Sequence, residues 1–308
     1  MVFETGSIVA LVTPFTNNDE VDYDGLHELI EMHIENDTNG VVILGSTGES
    51  CTLNLNEKHD IISSVCDYAN KRIDIIVGIG GNNTNEVIDL GKYCKNVGVD
   101  GILVTVPNYN KPTQEGIYQH FSKISTSISL PIMLYNIPSR CGINMNPEIV
   151  TKLYNNHENI VAIKEASGCM TQMSEILLSC KISLFVGDDS LILPAISLGA
   201  KGVVSVVANI IPKHISLLVK MCLTNNINAK QLFYLLYPLM KVVFVESNPI
   251  PIKQLMYNNN LISNRDLRLP LLSMTDNNTI EQLNNCYNQT LSNINNMSNF
   301  RNNMNILI

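Results

Sequence analysis

The chain is poor in charge. Only 16% of its 308 residues are Asp, Glu, Lys or Arg, and the surplus is acidic, with a formal net charge of −8 at pH 7. Phosphate backbones and anionic bilayers recruit cation-rich surfaces, so this balance argues against nucleic acid and membrane as partners. It leaves a small anionic substrate open, because a few local cations decide that. Asn fills many polar positions instead, which reads as compositional drift. No apolar run reaches the ~18 residues that a membrane span needs. The N-terminus lacks a basic head and a small-residue cleavage site, and enters Ser7-Ile8-Val9-Ala10-Leu11-Val12 directly. A first strand and a cytoplasmic location are therefore expected. The eight cysteines contain no C-x-x-C pair, and no His/Cys cluster has zinc spacing. They are expected to be reduced small hydrophobes, with no metal site.

Apolar residues make up 45% of the chain, ample for a core. Short Val- and Ile-rich runs recur at 7–13, 40–45, 74–80, 101–106, 131–136, 160–166, 183–187 and 202–208. Most are bounded by Gly, Pro, Asn or Asp, and they read as strands. Helical stripes lie between them, such as Leu26, Leu29, Ile30 and Ile34, or Val87, Leu90, Tyr93, Cys94 and Val97. Eight such units predict an α/β fold, a (β/α)8 TIM barrel, with a doubly wound sheet as the competing architecture. Beyond residue 212 the pattern is purely helical. The expected division is a barrel over 1–225, C-terminal helices over 226–292, and a frayed Asn-rich tail over 293–308.

Barrel enzymes carry their chemistry at the C-terminal ends of strands. Lys164 closes the run Ile160-Val161-Ala162-Ile163-Lys164. Period-two alternation predicts Ile160, Ala162 and Lys164 on one face. A lysine taken out of water holds its proton less tightly, and its free amine can form a Schiff base with a carbonyl. The bland alternative is a lysine that snorkels to water from a strand end. Tyr135 ends another run and Arg140 follows the Pro138 bend. A phenol can relay protons, and a guanidinium can grip a carboxylate. The loop Gly45-Ser46-Thr47-Gly48-Glu49 offers small hydroxyl residues and approachable backbone N–H groups to an anion. Two other signals are set aside. Gly78-Ile79-Gly80-Gly81 fails as a dinucleotide loop, because Asn83 holds the third glycine position. Asp188-Asp189 lacks a third ligand for a metal and is expected to cap the helix that follows.

From about Gly6 to Asp276 the chain resembles the dihydrodipicolinate synthase family. The resemblance is carried by Gly-Ser-Ile-Val-Ala at 6–10, the 45–49 loop, Asn110-Lys111-Pro112 and Gln114-Glu115-Gly116. It continues through the Tyr135 to Arg140 run, Ile163-Lys164-Glu165-Ala166, Gly187-Asp188-Asp189 and Asn248-Pro249-Ile250-Pro251. The resemblance implies a class I aldolase-type lyase that needs no cofactor. Its substrates would be pyruvate and L-aspartate 4-semialdehyde, on the diaminopimelate route to lysine. It implies Lys164 as the Schiff-base residue, with Tyr135, Ser46 and Tyr109 as the proton relay, Tyr109 entering from a neighbouring subunit. Thr47 would hold the pyruvate carboxylate and Arg140 that of the second substrate, with Gly187 and Val204 also at the substrate. A homo-oligomer is implied, a tetramer built from dimers. Ser46 departs from the family's usual threonine and loses the methyl that restricts χ1. The rival on the same scaffold is an N-acetylneuraminate lyase or a 2-keto-3-deoxy-sugar-acid aldolase, which Arg140 speaks against. A lysine effector pocket is implied in part by Ser50, Asn82 and Glu86, whereas Leu55, Lys58 and Asn108 depart from it.

Overall fold

A computed structural model describes residues 2–303 of the protein, with side chains as far as residue 296. Strands β1 (Gly6–Ala10), β2 (Gly40–Ile43), β3 (Asp74–Gly80) and β4 (Gly101–Thr105) form the first half of a sheet. Strands β5 (Ile132–Asn136), β6 (Ile160–Glu165), β7 (Ser183–Val186) and β8 (Gly202–Ser205) complete it. All pairs are parallel, and β8 pairs with β1 to close the barrel. Parallel neighbours need crossovers, and helices supply them. These are α1 (Tyr23–Glu35), α2 (Leu55–Ala69), α3 (Thr84–Val97), α4 (Gln114–Ser127), the short α5 (Pro138–Cys141), α6 (Pro147–Asn156), α7 (Met170–Ser179) and α8 (Ile192–Leu198). After β8 come α9 (Pro212–Leu223), α10 (Ala229–Val242), α11 (Ile250–Asn258) and α12 (Asn277–Asn303). The barrel is as expected, and the doubly wound alternative is excluded by closure.

Helix starts follow local capping chemistry. Asn54 accepts from Glu57 N while the Glu57 carboxylate accepts from Asn54 N, which fixes the first turn of α2. Thr113 caps α4 by accepting from Gly116 N through its hydroxyl. Inside the barrel, Ile8, Ala10, Val42, Ile76, Leu103, Met133, Ala162, Phe185 and Val204 form one buried cluster. A second, larger cluster joins the outer strand faces to the helices, α10 included. The C-terminal helices are thus part of the same packed body.

Three expectations change. The run at 202–208 stops being strand at Ser205, because the Val206 and Val207 amides turn to the Asp189 carboxylate at 3.0 and 3.3 Å. Asp189 also accepts from the Ser205 hydroxyl. It therefore ties down the turn after β8, and neither aspartate caps its own following helix by its side chain. Burial pushes the Asp189 carboxyl up, and these hydrogen bonds pull it back. Second, Ile160 does not share a face with Lys164. The β5–β6 register skips Val161, so Ile132 faces Ile160 while Met133 faces Ala162. That bulge resets the alternation: Ile160 packs outward, and Ala162 packs inward. Third, helix continues past Ser292 to Asn303, and Ile294 is 5% exposed within the larger cluster. The start of the expected frayed stretch is ordered helix, because one apolar side chain still finds the core. Residues 304–308 lie outside the described residues.

Candidate active site

The C-terminal ends of β2, β5, β6 and β7 open onto a cavity of about 560 Å3. Its walls include Ser46, Thr47, Tyr135, Arg140, Lys164, Gly187 and Asp188, and residues 244–248 close one side. Lys164 and Tyr135 are register partners across β6 and β5. Both are buried, and the Lys164 Nζ lies 4.4 Å from the centroid of the Tyr135 ring. Among the described residues no carboxylate lies within ion-pair distance of Nζ. Gly187 makes room for the amine: a Cβ there would stand 3.1 Å from Lys164 Cε and 2.5 Å from Ala166 Cβ. Asp188 shares the cavity. Burial raises its carboxyl, while the charges of Lys164 and Lys241 act against that.

The residues behind the pair hold it in place. Asn136 and Glu165, the next register partners, are fully buried. The Asn136 amide donates to both Glu165 oxygens at 3.2 and 3.0 Å. Gln172 and the Ser167 amide donate to the same carboxylate at 2.9 and 2.7 Å. This network fixes the β5–β6 phase at the end where Lys164 and Tyr135 turn inward.

Thr47 is buried, and its hydroxyl accepts from Asn248 Nδ2 at 2.9 Å. Arg140 stands exposed on the rim, and its Nη2 donates to the Asn248 carbonyl at 2.9 Å. Asn248 therefore joins Thr47 and Arg140, while its own Oδ1 is buried without a partner. Asn248 opens the Asn248-Pro249-Ile250-Pro251 motif, but nothing in its sequence context gives it a place in the site. Thr47 and Asn248 are 201 residues apart, so only the folded chain puts them together.

Two expected members stand elsewhere. Val204 is completely buried in the inner cluster beneath the cavity, and Val206 lines the wall instead. Inward-pointing side chains from alternate layers fill a barrel, and Val204 belongs to the filled layer. Tyr109 is 88% exposed and does not line the cavity of its own chain. The effector set divides. Leu55, Lys58 and Glu86 line one cavity of about 610 Å3, and Ser50 and Asn108 line a neighbouring one of about 330 Å3. Gly80 and Gly81 border both. Asn82 is exposed beside them. The dinucleotide-like glycines have a packing role here: a Cβ on Gly78 would stand 2.6 Å from the Leu44 carbonyl oxygen. Among the described residues no group of three or more His, Cys, Asp or Glu is placed to hold a metal. No described helix is long and apolar enough to cross a membrane.

Comparison with known proteins gives the same grouping. The family model described as the dihydrodipicolinate synthetase family matches residues 4–289. A 4-hydroxy-tetrahydrodipicolinate synthase of Sulfurihydrogenibium sp. is 48% identical over 276 residues, covering 89% of this chain and 94% of that protein. Its counterpart in Methanococcus maripaludis is 46% identical over 277 residues, covering 90% and 95%. The solved 4-hydroxy-tetrahydrodipicolinate synthase of Methylacidiphilum fumariolicum superposes with a TM-score of 0.93 at 39% identity, covering 96% of this chain and 98% of that one. With a matching model over almost its whole length, relatives this close and the barrel-mouth lysine in place, the chain belongs to the dihydrodipicolinate synthetase family.

Proposed function

We propose that the protein is a 4-hydroxy-tetrahydrodipicolinate synthase, a lyase that condenses pyruvate with L-aspartate 4-semialdehyde. The observation that carries this is the buried Lys164 amine beside the Tyr135 ring, at the mouth of a cavity that also holds Thr47 and Arg140. The amine adds to the keto carbon of pyruvate and water leaves, giving an imine. Loss of a methyl proton makes the enamine, whose carbon attacks the aldehyde. The amino group of the adduct then displaces Lys164 and closes the ring, so one water leaves overall. Thr47 holds the pyruvate carboxylate, and Arg140, steadied by the Asn248 carbonyl, receives that of the second substrate. Tyr135 and Ser46 move the protons. Gly187 contributes the space in which the imine carbon sits.

Tyr109 completes the relay in a second copy of the chain. Its 88% exposure supports a role outside its own cavity. The active unit on this reading is at least a dimer, and a tetramer of two dimers fits the family. The barrel of residues 1–225 carries the chemistry, and residues 226–292 brace it. The cavities around Leu55, Lys58, Glu86, Ser50, Asn82 and Asn108 form a degenerate lysine site. A coupled assay with pyruvate and aspartate semialdehyde tests the function when run beside N-acetylneuraminate and a 2-keto-3-deoxy sugar acid. Turnover confined to the first pair is expected; cleavage of the sugar acids instead would assign the rival lyase activity.

A further inference from the structure

Lys164 is not the only lysine withdrawn from water. Lys253, on α11, has a side chain 0% exposed, and the Glu49 side chain facing it is 2% exposed. Their Nζ and Oε1 atoms are 2.8 Å apart. Lys253 also donates to the Asp266 carbonyl at 2.7 Å and lies 4.3 Å from the Phe15 ring centroid. The second Glu49 oxygen accepts from the Arg268 amide at 3.1 Å. Burial loosens the Lys253 proton, and Glu49 works against that loss. A buried ion pair is weak support for stability, because well-packed apolar residues of similar volume often serve as well or better. Its position is more informative. Glu49 lies two residues beyond Thr47 in the same loop, and Lys253 lies five beyond Asn248. The loop and the start of α11 are thus joined by two rungs: Asn248 to Thr47 at the cavity wall, and Lys253 to Glu49 behind it. The front rung is neutral, and the rear one is charge-assisted and stronger. Glu49 is held at φ 53, a left-handed conformation that a non-glycine residue keeps only where its surroundings fix it.

We infer that Glu49 and Lys253 are positioning residues which set where the Thr47 hydroxyl stands in the cavity. Thr47 is taken, as above, as the ligand of the pyruvate carboxylate. Displacing it weakens pyruvate binding and leaves the bond-making step at Lys164 largely intact. The test is borohydride trapping of pyruvate on the full-length protein, followed by mass spectrometry as a function of pyruvate concentration. Lys253→Met should raise the half-saturating concentration by about tenfold or more, because a carboxylate is left buried and unpaired, while the limiting rate changes by less than about threefold. The Glu49→Gln/Lys253→Met double variant removes both charges and should recover a part of that loss. It also carries the test if Lys253→Met alone does not fold by circular dichroism. In a Thr47→Val background the same double change should add less than about twofold, since sites that act through one another are not additive. Folded variants whose half-saturation matches the unmodified chain would overturn the inference, as would equal effects in the Thr47 and Thr47→Val backgrounds. If the unmodified chain itself takes up no pyruvate, the functional reading fails first and this inference with it.

Discussion

At the scale of the residue, the sequence was most legible where one side chain conflicts with its surroundings. A lysine ending an apolar strand is such a conflict, and the structure puts Lys164 inside the cavity with Tyr135 as its cross-strand partner. Val204 was the opposite case. An apolar residue near a strand end serves a filled layer or a cavity wall equally well, and strand periodicity alone does not say which. Asn248 was illegible as a site residue, since its partners are far away in the chain. Arg140 sits exposed on the rim, and a bond from it to a substrate carboxylate, as proposed above, would be worth about 1.5–3 kcal/mol, the range for a charged hydrogen bond. Arg140→Ala should keep imine formation with pyruvate and lose at least about tenfold in turnover with aspartate semialdehyde. Loss of imine formation itself would make Arg140 structural. His33 gives a pH prediction. It is fully buried, its Nδ1 bonds the Thr38 hydroxyl, and its Nε2 has no partner. Burial lowers its pKa from 6.5 to about 3. The unfolded chain therefore binds a proton below pH 6.5 that the folded one refuses, so stability falls as pH drops from there toward 3. By pH 5 that amounts to roughly 2 kcal/mol. Unfolding free energies from urea titrations at pH 7 and pH 5 should differ by that much more in the unmodified chain than in His33→Gln, and equal differences would contradict it.

At the scale of the element, the strands were readable because each is bounded by turn residues and buried on both faces. What periodicity missed was phase. The skip at Val161 is a backbone event without a residue signature, and it decides which way Lys164 points. The Asn136–Glu165–Gln172 network is the counterweight that pins the phase at the other end of β6. Glu165→Leu should remove the acceptor shared by Asn136, Gln172 and the Ser167 amide; the first two keep bonds to Asn144, so the cost is about 1–3 kcal/mol for the one donor left unpaired. A fall in melting temperature together with slower imine trapping is expected, and a change in neither would remove the clamp from the account. α12 yields a second test. Ile294 is buried near its far end, so truncation after Ser292 should destabilise the protein by about 1.5–3 kcal/mol, the value of burying one such side chain. Denaturant midpoints of the two lengths decide it. An unchanged midpoint would mean that the last turns contribute nothing.

At the scale of the whole molecule, barrel closure and the order of the motifs were legible together, because eight evenly spaced units leave little choice of topology. Tyr109 is exposed and does not line the cavity of its own chain, and on the proposed reading it serves a second copy. Regulation belongs to this scale too. On the proposed reading of a degenerate lysine site, Lys58 would set a cation near the ammonium effector, at a cost of about 1 kcal/mol or more. The resemblance implies an aromatic ring where Asn108 stands, a wall that would be worth about 0.5–2 kcal/mol to a cation. Lysine should therefore half-inhibit only above about 1 mM, a scale equivalent to about 4 kcal/mol of binding. An initial-rate titration showing tighter inhibition would restore the effector site. The proposed reaction turns on the Lys164 amine, and one measurement reaches it most directly. The protein is treated with pyruvate and borohydride, digested, and mapped by mass spectrometry while its activity is followed. A reduced pyruvate adduct on Lys164, formed in step with loss of activity, is the predicted result; an unmodified Lys164 in a fully active protein would contradict it.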